Sequence, residues 1–388
     1  MRRASWILSA VSVLLVAAGA VGKFAVYPML HQMPEDSEGK MKFQGTITAL
    51  DAQAMQRGDF ANAIIRDLPV TADRKVKAVK TAGKTIVLND RVEVYGPTHQ
   101  VVSVSEHQYA VHRVNLLERP TPEGVQAEKH TGLTSGFPLS PEKRDYPFWD
   151  AETQTTVPAV YAGSEHRAGR TVYVYRITAS GPLLDPTMKG ALPPALPKAA
   201  IQALNPAAPL DGQPDMVPLT YRSTTQMVGY VDSETGVAIA LDSEKGVTAT
   251  LNGADLFPVA QAKLNTTKAS QSDLADTAKT GALVFWLLSD AVPYGLWALA
   301  FVLLLLAFWL ERRRRMALAG APTAPVPEPR VPDRQDAEED GEVHEEQQTQ
   351  EARQAQEARQ ERHEQGEYAQ TDGAAPGAPA NSGGEQRP

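Results

Sequence analysis

Four carboxylates in two short stretches have a spacing that could do chemistry. Asp150 and Glu152 are two positions apart, and so are Asp232 and Glu234, so each pair could offer oxygen ligands to Ca²⁺. Neither stretch matches an EF-hand loop, which needs a glycine and a terminal glutamate at fixed positions. Aspartate and threonine also favour turns, and strand-like sequence follows both stretches. We therefore interpret these carboxylates as turn residues and predict no metal site.

The histidines and potential nucleophiles give no enzyme signature. The 8 histidines are scattered, and the spacing of His107 and His112 places them on opposite faces of a strand. The sequence lacks H-E-x-x-H, a phosphate-binding loop, a dinucleotide-binding glycine pattern and G-x-S-x-G. It also has no cysteine, which excludes thiolate metal sites, cysteine nucleophiles and disulfides. We predict no enzyme, no catalytic residue and no cofactor; the alternative is a hydrolase whose site gathers Asp150, Glu152, His107 and His166.

The stretch at residues 143–150, KRDYPFWD, places two cations beside three aromatic side chains. One interpretation is contact with a ligand or a lipid headgroup, because cations and aromatic rings bind such groups together. The residues that would make this contact are Lys143, Arg144, Tyr146, Phe148 and Trp149. The other interpretation, which we prefer, is the edge of a hydrophobic core, where the rings pack and the cations stay in water.

Two uncharged segments place any such site at a membrane. Residues 291–310 would span roughly 30 Å as a helix, the thickness of the bilayer's hydrocarbon core. Residues 4–22 form a second uncharged run, either a signal peptide or a retained helix, and we favour the helix. Basic residues lie beside both runs: Arg2, Arg3, Arg312, Arg313, Arg314 and Arg315. The positive-inside rule then predicts a two-pass cell-membrane protein with both termini in the cytoplasm and the main domain outside.

The predicted organisation has five parts. Residues 1–23 hold the cytoplasmic start and the first transmembrane helix, and residues 24–266 form an extracytoplasmic β-rich domain. Residues 267–290 form a stalk or interfacial helix, and residues 291–310 form the second transmembrane helix. Residues 311–388 begin with the basic cluster and continue as an acidic cytoplasmic tail.

Alternation of β-branched and aromatic residues indicates a mainly β domain, an antiparallel sheet or barrel-like fold with some helix. Residues 84–95 indicate a hairpin that turns at Asn89 and Asp90. Residues 229–241 indicate strand, turn and strand, with Gly236 supplying the positive φ of a tight turn. The predicted strands are short.

Two segments interrupt the strand pattern. Residues 61–68 indicate a short amphipathic helix. Residues 181–218 are rich in proline and alanine, and we interpret them as an insertion with a short helix at residues 198–204. From Thr267 the pattern becomes helical and leads to the second transmembrane helix.

The tail explains the acidity of the chain. Residues 321–388 carry 16 acidic and 6 basic side chains, whereas the rest of the chain is close to neutral. Its two QEARQ repeats have no hydrophobic positions with which to pair, so the composition predicts a disordered tail. A cytoplasmic partner for this tail is the alternative to a solvated spacer. Apart from the arginines beside the apolar runs, the sequence has no basic cluster of the kind that binds nucleic acid, so we predict no nucleic-acid partner.

The chain resembles an actinobacterial envelope family, the porin PorA family, over roughly residues 1–315. The resemblance rests on the two end helices and on four stretches: KRDYPFWD, VPAVYAG, TVYVYR and GYVDSETGV. It implies an envelope protein and supplies no catalytic residues. A transmembrane β-barrel needs many strands of about 10 residues with an apolar outer side, which the short predicted strands do not provide.

We therefore predict an integral membrane protein of the cell envelope whose outer domain binds or passes along a lipid or other envelope ligand, without catalysis. The lipid bilayer is one partner, and an envelope lipid is the expected ligand. An oligomeric porin or channel component is the first alternative, because two helices per chain could enclose a pore only in a homo-oligomer. The hydrolase is the second.

Overall fold

The structure is a computed structural model; it describes residues 2–319 and the side chains of residues 6–316. Twelve strands are formed: β1 (Glu38–Leu50), β2 (Ile64–Ala82), β3 (Thr85–Tyr95), β4 (Val101–His112), β5 (Tyr146–Asp150), β6 (Thr155–Arg167), β7 (Arg170–Pro182), β8 (Ala195–Pro197), β9 (Met216–Pro218), β10 (Thr220–Asp232), β11 (Ala238–Leu251) and β12 (Ala254–Thr266). All but β8 and β9 belong to one antiparallel sheet in the order β4-β3-β2-β1-β12-β11-β10-β7-β6-β5.

The helices lie at the two ends of the described chain and in short connections. They are α1 (Arg2–Val21), α2 (Tyr27–Leu30), α3 (Ala52–Gln56), α4 (Pro186–Ala191), α5 (Lys198–Leu204), α6 (Lys268–Trp286) and α7 (Val292–Ala319). Short π-helical segments, Gly22–Val26 and Leu287–Ala291, connect α1 to α2 and α6 to α7. The 3₁₀ turn Phe60–Asn62 precedes β2.

The pairing of β1 with β12 joins the first and last strands of the domain in the middle of the sheet. Gly45 of β1 pairs with Leu264, where a Cβ atom would lie only 1.8 Å from the carbonyl oxygen of Lys263. A backbone atom cannot move aside as a side chain can, so this close approach of the two strands requires glycine.

The sheet curls until its two flanks share one hydrophobic core. Ile86 and Leu88 of β3 belong to the same buried cluster as Tyr175 and Ile177 of β7, and all four are almost completely buried. The sheet therefore forms a half-barrel whose interior is filled by side chains at this level. Large inward side chains at alternate positions of both flanks give this packing.

The connection between β4 and β5, residues 113–145, runs between the two edges of the half-barrel. The amide of Glu128 donates to the carbonyl of Gln108 in β4 (2.7 Å), and the amide of Leu133 donates to the carbonyl of Pro147 in β5 (2.8 Å). This segment therefore pairs with both edge strands and covers part of the gap between them.

The two ends of the half-barrel are covered by different elements. At one end, the segment between β7 and β10 contributes Leu196 and Ile201 to a core that includes Val247 and Phe257. At the opposite end, α6 packs Ala275 and Ala278 against Val172 and Ile239. The two long terminal helices leave the domain at the end covered by α6.

The terminal helices contact each other. The indole Nε1 of Trp297 donates to the carbonyl of Val16 (3.2 Å), and Lys23 donates to the hydroxyl of Tyr294 (2.9 Å). Gly19 lies under Trp297, where a Cβ atom would meet the indole at 2.4 Å. By length and apolar composition, two helical segments can cross a membrane: Trp6–Leu30 and Lys268–Met316.

Three local predictions are confirmed and two are wrong. Gly236 has φ of 76° in the turn between β10 and β11, α5 occupies residues 198–204, and Thr267 caps α6. The predicted hairpin at residues 84–95 is the single strand β3, because β2 pairs with it along its whole length. The predicted helix at residues 61–68 is a 3₁₀ turn followed by β2, because pairing with β1 there outweighs the helical periodicity.

The strands are longer than the sequence indicated: most strands of the main sheet have 11–14 residues and β2 has 19. The predicted class, a mainly β antiparallel sheet with some helix between two apolar helices, is confirmed at this level. The acidic tail predicted to be disordered lies outside the described residues from position 320 onward.

A candidate binding recess inside the half-barrel

The interior of the half-barrel contains a group of charged side chains that we call the central polar cluster. Lys245 is its most open member. Alternation along β11 places Lys245 on the same inward face as Val247 and Ala249, which are buried. Lys245 is half-buried, since 40% of its side chain is accessible to water. Water therefore reaches the inward face of the sheet at this lysine, and we call the space beside it the interior recess.

Glu152 fixes the position of Lys245. The ammonium Nζ donates to Oε1 of Glu152 (2.8 Å), and the hydroxyl of Ser223 donates to Oε2 (2.5 Å). Burial would lower the pKa of Lys245, but the adjacent carboxylate outweighs it and raises that pKa. Glu152 is 6% exposed and lies in the β5–β6 turn, on the flank opposite β2 and β3.

Arg74 and Asp90 form the second charged pair of the cluster. Nε of Arg74 donates to Oδ1 of Asp90 (2.9 Å) and Nη2 to Oδ2 (2.5 Å), which is a two-point contact. Nη2 also donates to the carbonyl of Ser135 (3.1 Å). Burial would raise the pKa of Asp90, but the charge of Arg74 and its hydrogen bonds hold that pKa below its ordinary value.

His107 and Glu128 lie at the accessible side of the recess. Nδ1 of His107 is 3.0 Å from both carboxylate oxygens of Glu128, and the Glu128 side chain is 47% accessible. The hydrogen bond to Glu128 raises the pKa of His107, which also senses the charges of Asp185 and Lys245. His107 on β4 and Lys245 on β11 are therefore close enough for their charges to interact.

Asp150 and Asp185 complete the cluster, and both accept hydrogen bonds from their own turns. Oδ2 of Asp150 accepts from the amide (3.0 Å) and hydroxyl (2.6 Å) of Thr153. Oδ1 of Asp185 accepts from the amide of Met188 (2.6 Å) and caps α4. These carboxylates are thus engaged within the protein, whereas Lys245 keeps open surface.

Of the four carboxylates considered for Ca²⁺, Asp150 and Asp232 serve turns, whereas Glu152 and Glu234 pair with cations. Asp232 accepts from the amide (2.9 Å) and hydroxyl (2.8 Å) of Thr235, the same pattern as in the turn after Asp150, and it also pairs with Arg170 (2.7 Å). Asp232 lies at the end covered by α6, remote along the sheet from Glu152. Within the described residues, no group of three histidine or acidic side chains could hold a metal ion.

The residues predicted for ligand or headgroup contact lie at β5 and just before it. Tyr146 is buried in the core against Phe137 and Tyr175, and Phe148 and Trp149 are partly buried against the same core. Arg144 stacks over the Tyr146 ring at 4.6 Å. Lys143 lies 5.7 Å from the Tyr173 ring. Packing of the rings agrees with a core edge; the contact role stays a prediction.

The residues predicted to set membrane orientation flank the terminal helices. Arg2 and Arg3 open α1. Arg312, Arg313, Arg314 and Arg315 lie in the last part of α7, where Arg314 and Arg315 approach Glu311 (3.8 and 3.6 Å). These arginines therefore lie next to the outer ends of the two apolar segments.

Sequence reasoning missed Arg74, Asp90 and Lys245, and misread the role of Glu152. Each missed residue stands at an inward position of a long strand, and charge at such a position is unusual enough to mark a site. The signal was present around Lys245, where Val247, Ala249 and Leu251 alternate with it. The register needed to pair Arg74 with Asp90 was hidden by the hairpin predicted at Asp90.

Comparisons with known proteins give one strong match. A family model described as Porin PorA matches residues 4–309. No curated protein matches the chain. Solved structures with some similarity include an acyl-CoA hydrolase from Agrobacterium tumefaciens (10% identity, TM-score 0.14, 60% of this chain and 97% of that one). Another is a putative MaoC domain dehydratase from Chloroflexus aurantiacus (12%, TM-score 0.14, 66% and 80%). Similarities at these TM-scores carry no argument about fold or activity.

Proposed function

The chain belongs to the porin PorA family, and we propose that it is a two-pass envelope protein whose extracytoplasmic half-barrel binds an envelope ligand in the interior recess. The observation that carries the proposal is Lys245. A lysine on the inward face of the sheet, held by Glu152 and with 40% of its side chain open to water, is arranged to meet a group that enters the recess. Anchoring at both ends would hold the half-barrel over the bilayer by the end that α6 covers, with Glu152 and the recess toward the other end.

The arrangement supports binding more than acid–base catalysis. The recess does gather Asp150, Glu152 and His107, three residues of the alternative hydrolase site. However, both oxygens of Glu152 are engaged by Lys245 and Ser223, and Asp150 is engaged by its turn. His166 is exposed on β6, near the end covered by α6. We therefore propose a non-enzymatic role.

A channel is the second candidate, and the family's description is what favours it. The interior of one half-barrel gives it little support, because Leu88, Tyr175 and Ile177 fill the space between the flanks. Charged pairs on the strands also argue for a sheet in water: Lys75 binds Glu38 (3.1 Å), and Lys263 binds Glu244 (3.1 Å). A pore would then require several copies of the terminal helices.

Topology can be tested by labelling single cysteines, because the chain has none of its own. Ser164→Cys on exposed β6 is expected to react in intact cells with a membrane-impermeant maleimide. Ser382→Cys near the C-terminus is expected to react only after the cells are opened. Labelling of the C-terminal cysteine in intact cells, or protection of position 164, would contradict the proposed orientation.

Ligand binding can be tested on the full chain purified from its membrane. Organic extraction followed by mass spectrometry is expected to recover a bound molecule in a fixed ratio to protein. Lys245→Met is expected to reduce that ratio, whereas Lys263→Met, on the neighbouring strand and 54% accessible, should leave it unchanged. Folded protein without any bound molecule, together with steady conductance in planar bilayers, would favour the channel.

A further inference from the structure

We infer that the interior recess takes an uncharged group rich in hydrogen-bond acceptors, such as the sugar of a neutral glycolipid, in preference to a phosphate or a carboxylate. This inference rests on the proposed function, since it specifies the ligand of the same recess. It follows from which hydrogen-bonding groups of the central polar cluster are already engaged and from the balance of charge around them.

The groups left free to meet a ligand are donors. The ammonium of Lys245 has one hydrogen-bond partner among the described residues, Glu152, although it carries three N–H groups. His107 uses Nδ1 toward Glu128; its Nε2, which is a donor only when the ring is protonated, has no hydrogen-bond partner among the described residues. Arg74 uses Nε and Nη2, and its Nη1 has no partner in the described part of the chain. Such groups select ligand oxygen atoms that accept hydrogen bonds.

The engaged groups are mostly the acceptors. Glu152 accepts from Lys245 and Ser223, and Asp150 accepts from the amide and hydroxyl of Thr153. A ligand that presents only donors, such as an ammonium group, would therefore compete with contacts that the protein already makes. This argues against a cationic headgroup.

The charge balance argues against an anion. The carboxylates of the cluster and its rim outnumber the cations. The carboxylates are Asp90, Glu128, Asp150, Glu152 and Asp185; the cations are Arg74, Lys245 and, when protonated, His107. A phosphate or carboxylate entering the recess would meet a net negative charge. Inside a protein this repulsion is weakened less than it is in bulk water. A neutral hydroxylated group meets the same donors without this repulsion.

The test uses the full chain in phosphatidylcholine nanodiscs with three probes. They are monogalactosyl diacylglycerol, free methyl β-galactoside and phosphatidylglycerol. We expect the glycolipid to bind more tightly than phosphatidylglycerol. Lys245→Met should weaken glycolipid binding about tenfold or more, the loss expected for one charge-assisted hydrogen bond, and Lys263→Met should not. Equal binding of the free galactoside would support the same chemistry and identify a soluble sugar as the source.

A second variant guards against loss of folding, since Lys245→Met leaves Glu152 buried without its cation. Glu152→Gln removes one negative charge and keeps Lys245, so phosphatidylglycerol should gain affinity relative to the glycolipid. An unchanged ratio in folded Glu152→Gln protein would overturn the inference. Tighter binding of phosphatidylglycerol through Lys245 in the unmodified chain would overturn the inference and leave the proposed function standing. Folded protein that binds none of the three probes through Lys245 and yields no ligand on extraction would overturn both.

Discussion

Removing Asp90 should be among the most damaging single changes in the interior of the half-barrel. Asp90→Ala leaves the guanidinium of Arg74 without the carboxylate that it contacts at two points, and only 17% of the Arg74 side chain is accessible to water. The carbonyl of Ser135 would remain as an acceptor, but it carries no full charge. An uncompensated charge inside a protein is strongly unfavourable.

The expected loss is about 3–5 kcal/mol, the range for breaking a buried ion pair by removing one partner. For a folded unit of this size, 1 kcal/mol shifts the midpoint of thermal unfolding by about 2–4 °C, so the shift should be on the order of 10 °C. The double variant Arg74→Met, Asp90→Leu removes both charges and retains apolar volume. It should recover most of the stability, because it leaves no unpaired charge.

The assay is a double-mutant cycle on the purified full chain that compares Arg74→Met, Asp90→Leu and the double variant. Asp90→Ala is measured beside them, and unfolding is followed by near-ultraviolet circular dichroism. Glu38→Gln is a matched control, because Glu38 forms solvent-accessible pairs with Lys40 (2.8 Å) and Lys75 (3.1 Å); it should leave the unfolding midpoint nearly unchanged. A loss below about 1 kcal/mol for Asp90→Ala, or single-variant effects that simply add in the double variant, would refute a tightly coupled pair.

Two further predictions follow from backbone packing and from titration. Gly45→Ala should destabilise the domain by about 2 kcal/mol or more, because its Cβ would meet the Lys263 carbonyl oxygen at 1.8 Å. Gly39→Ala on the same strand meets nothing within 4 Å and should be neutral in a urea titration; equal effects would contradict the close approach. The raised pKa of His107 implies stabilisation that is complete below the unfolded value of 6.5 and is lost as pH rises through the folded value. As pH rises from below 6.5 through the folded value, His107→Gln should therefore lose less stability than the unmodified chain. The difference should be less than about 1 kcal/mol because Glu128 is exposed; identical slopes would show that His107 does not titrate differently on folding.

Local patterns predicted the elements that depend on neighbours in sequence. Gly236 identified a turn because its positive φ is a property of one residue, and residues 198–204 formed a helix between prolines as expected. Asn89 and Asp90 resembled a hairpin turn because local chemistry cannot reveal an arginine on another strand. Asp90 lies within β3 because Arg74 satisfies its charge, and that contact depends on the register of β2 with β3.

The sequence by itself determined the two apolar segments long enough to cross a membrane, the mainly β class and the acidic character of the tail. Uncharged length, alternation and composition can all be recognised along one dimension. The tertiary structure alone decided that the sheet curls and that Lys245 lies open to a recess beside Glu152. The tertiary structure also gives different roles to the two Asp-x-Glu-Thr stretches, residues 150–153 and 232–235. The first lies beside the interior recess, where Glu152 binds Lys245, and the second pairs with Arg170 at the end covered by α6. Burial and long-range register decide such roles, and both arise only when strands remote in sequence come together.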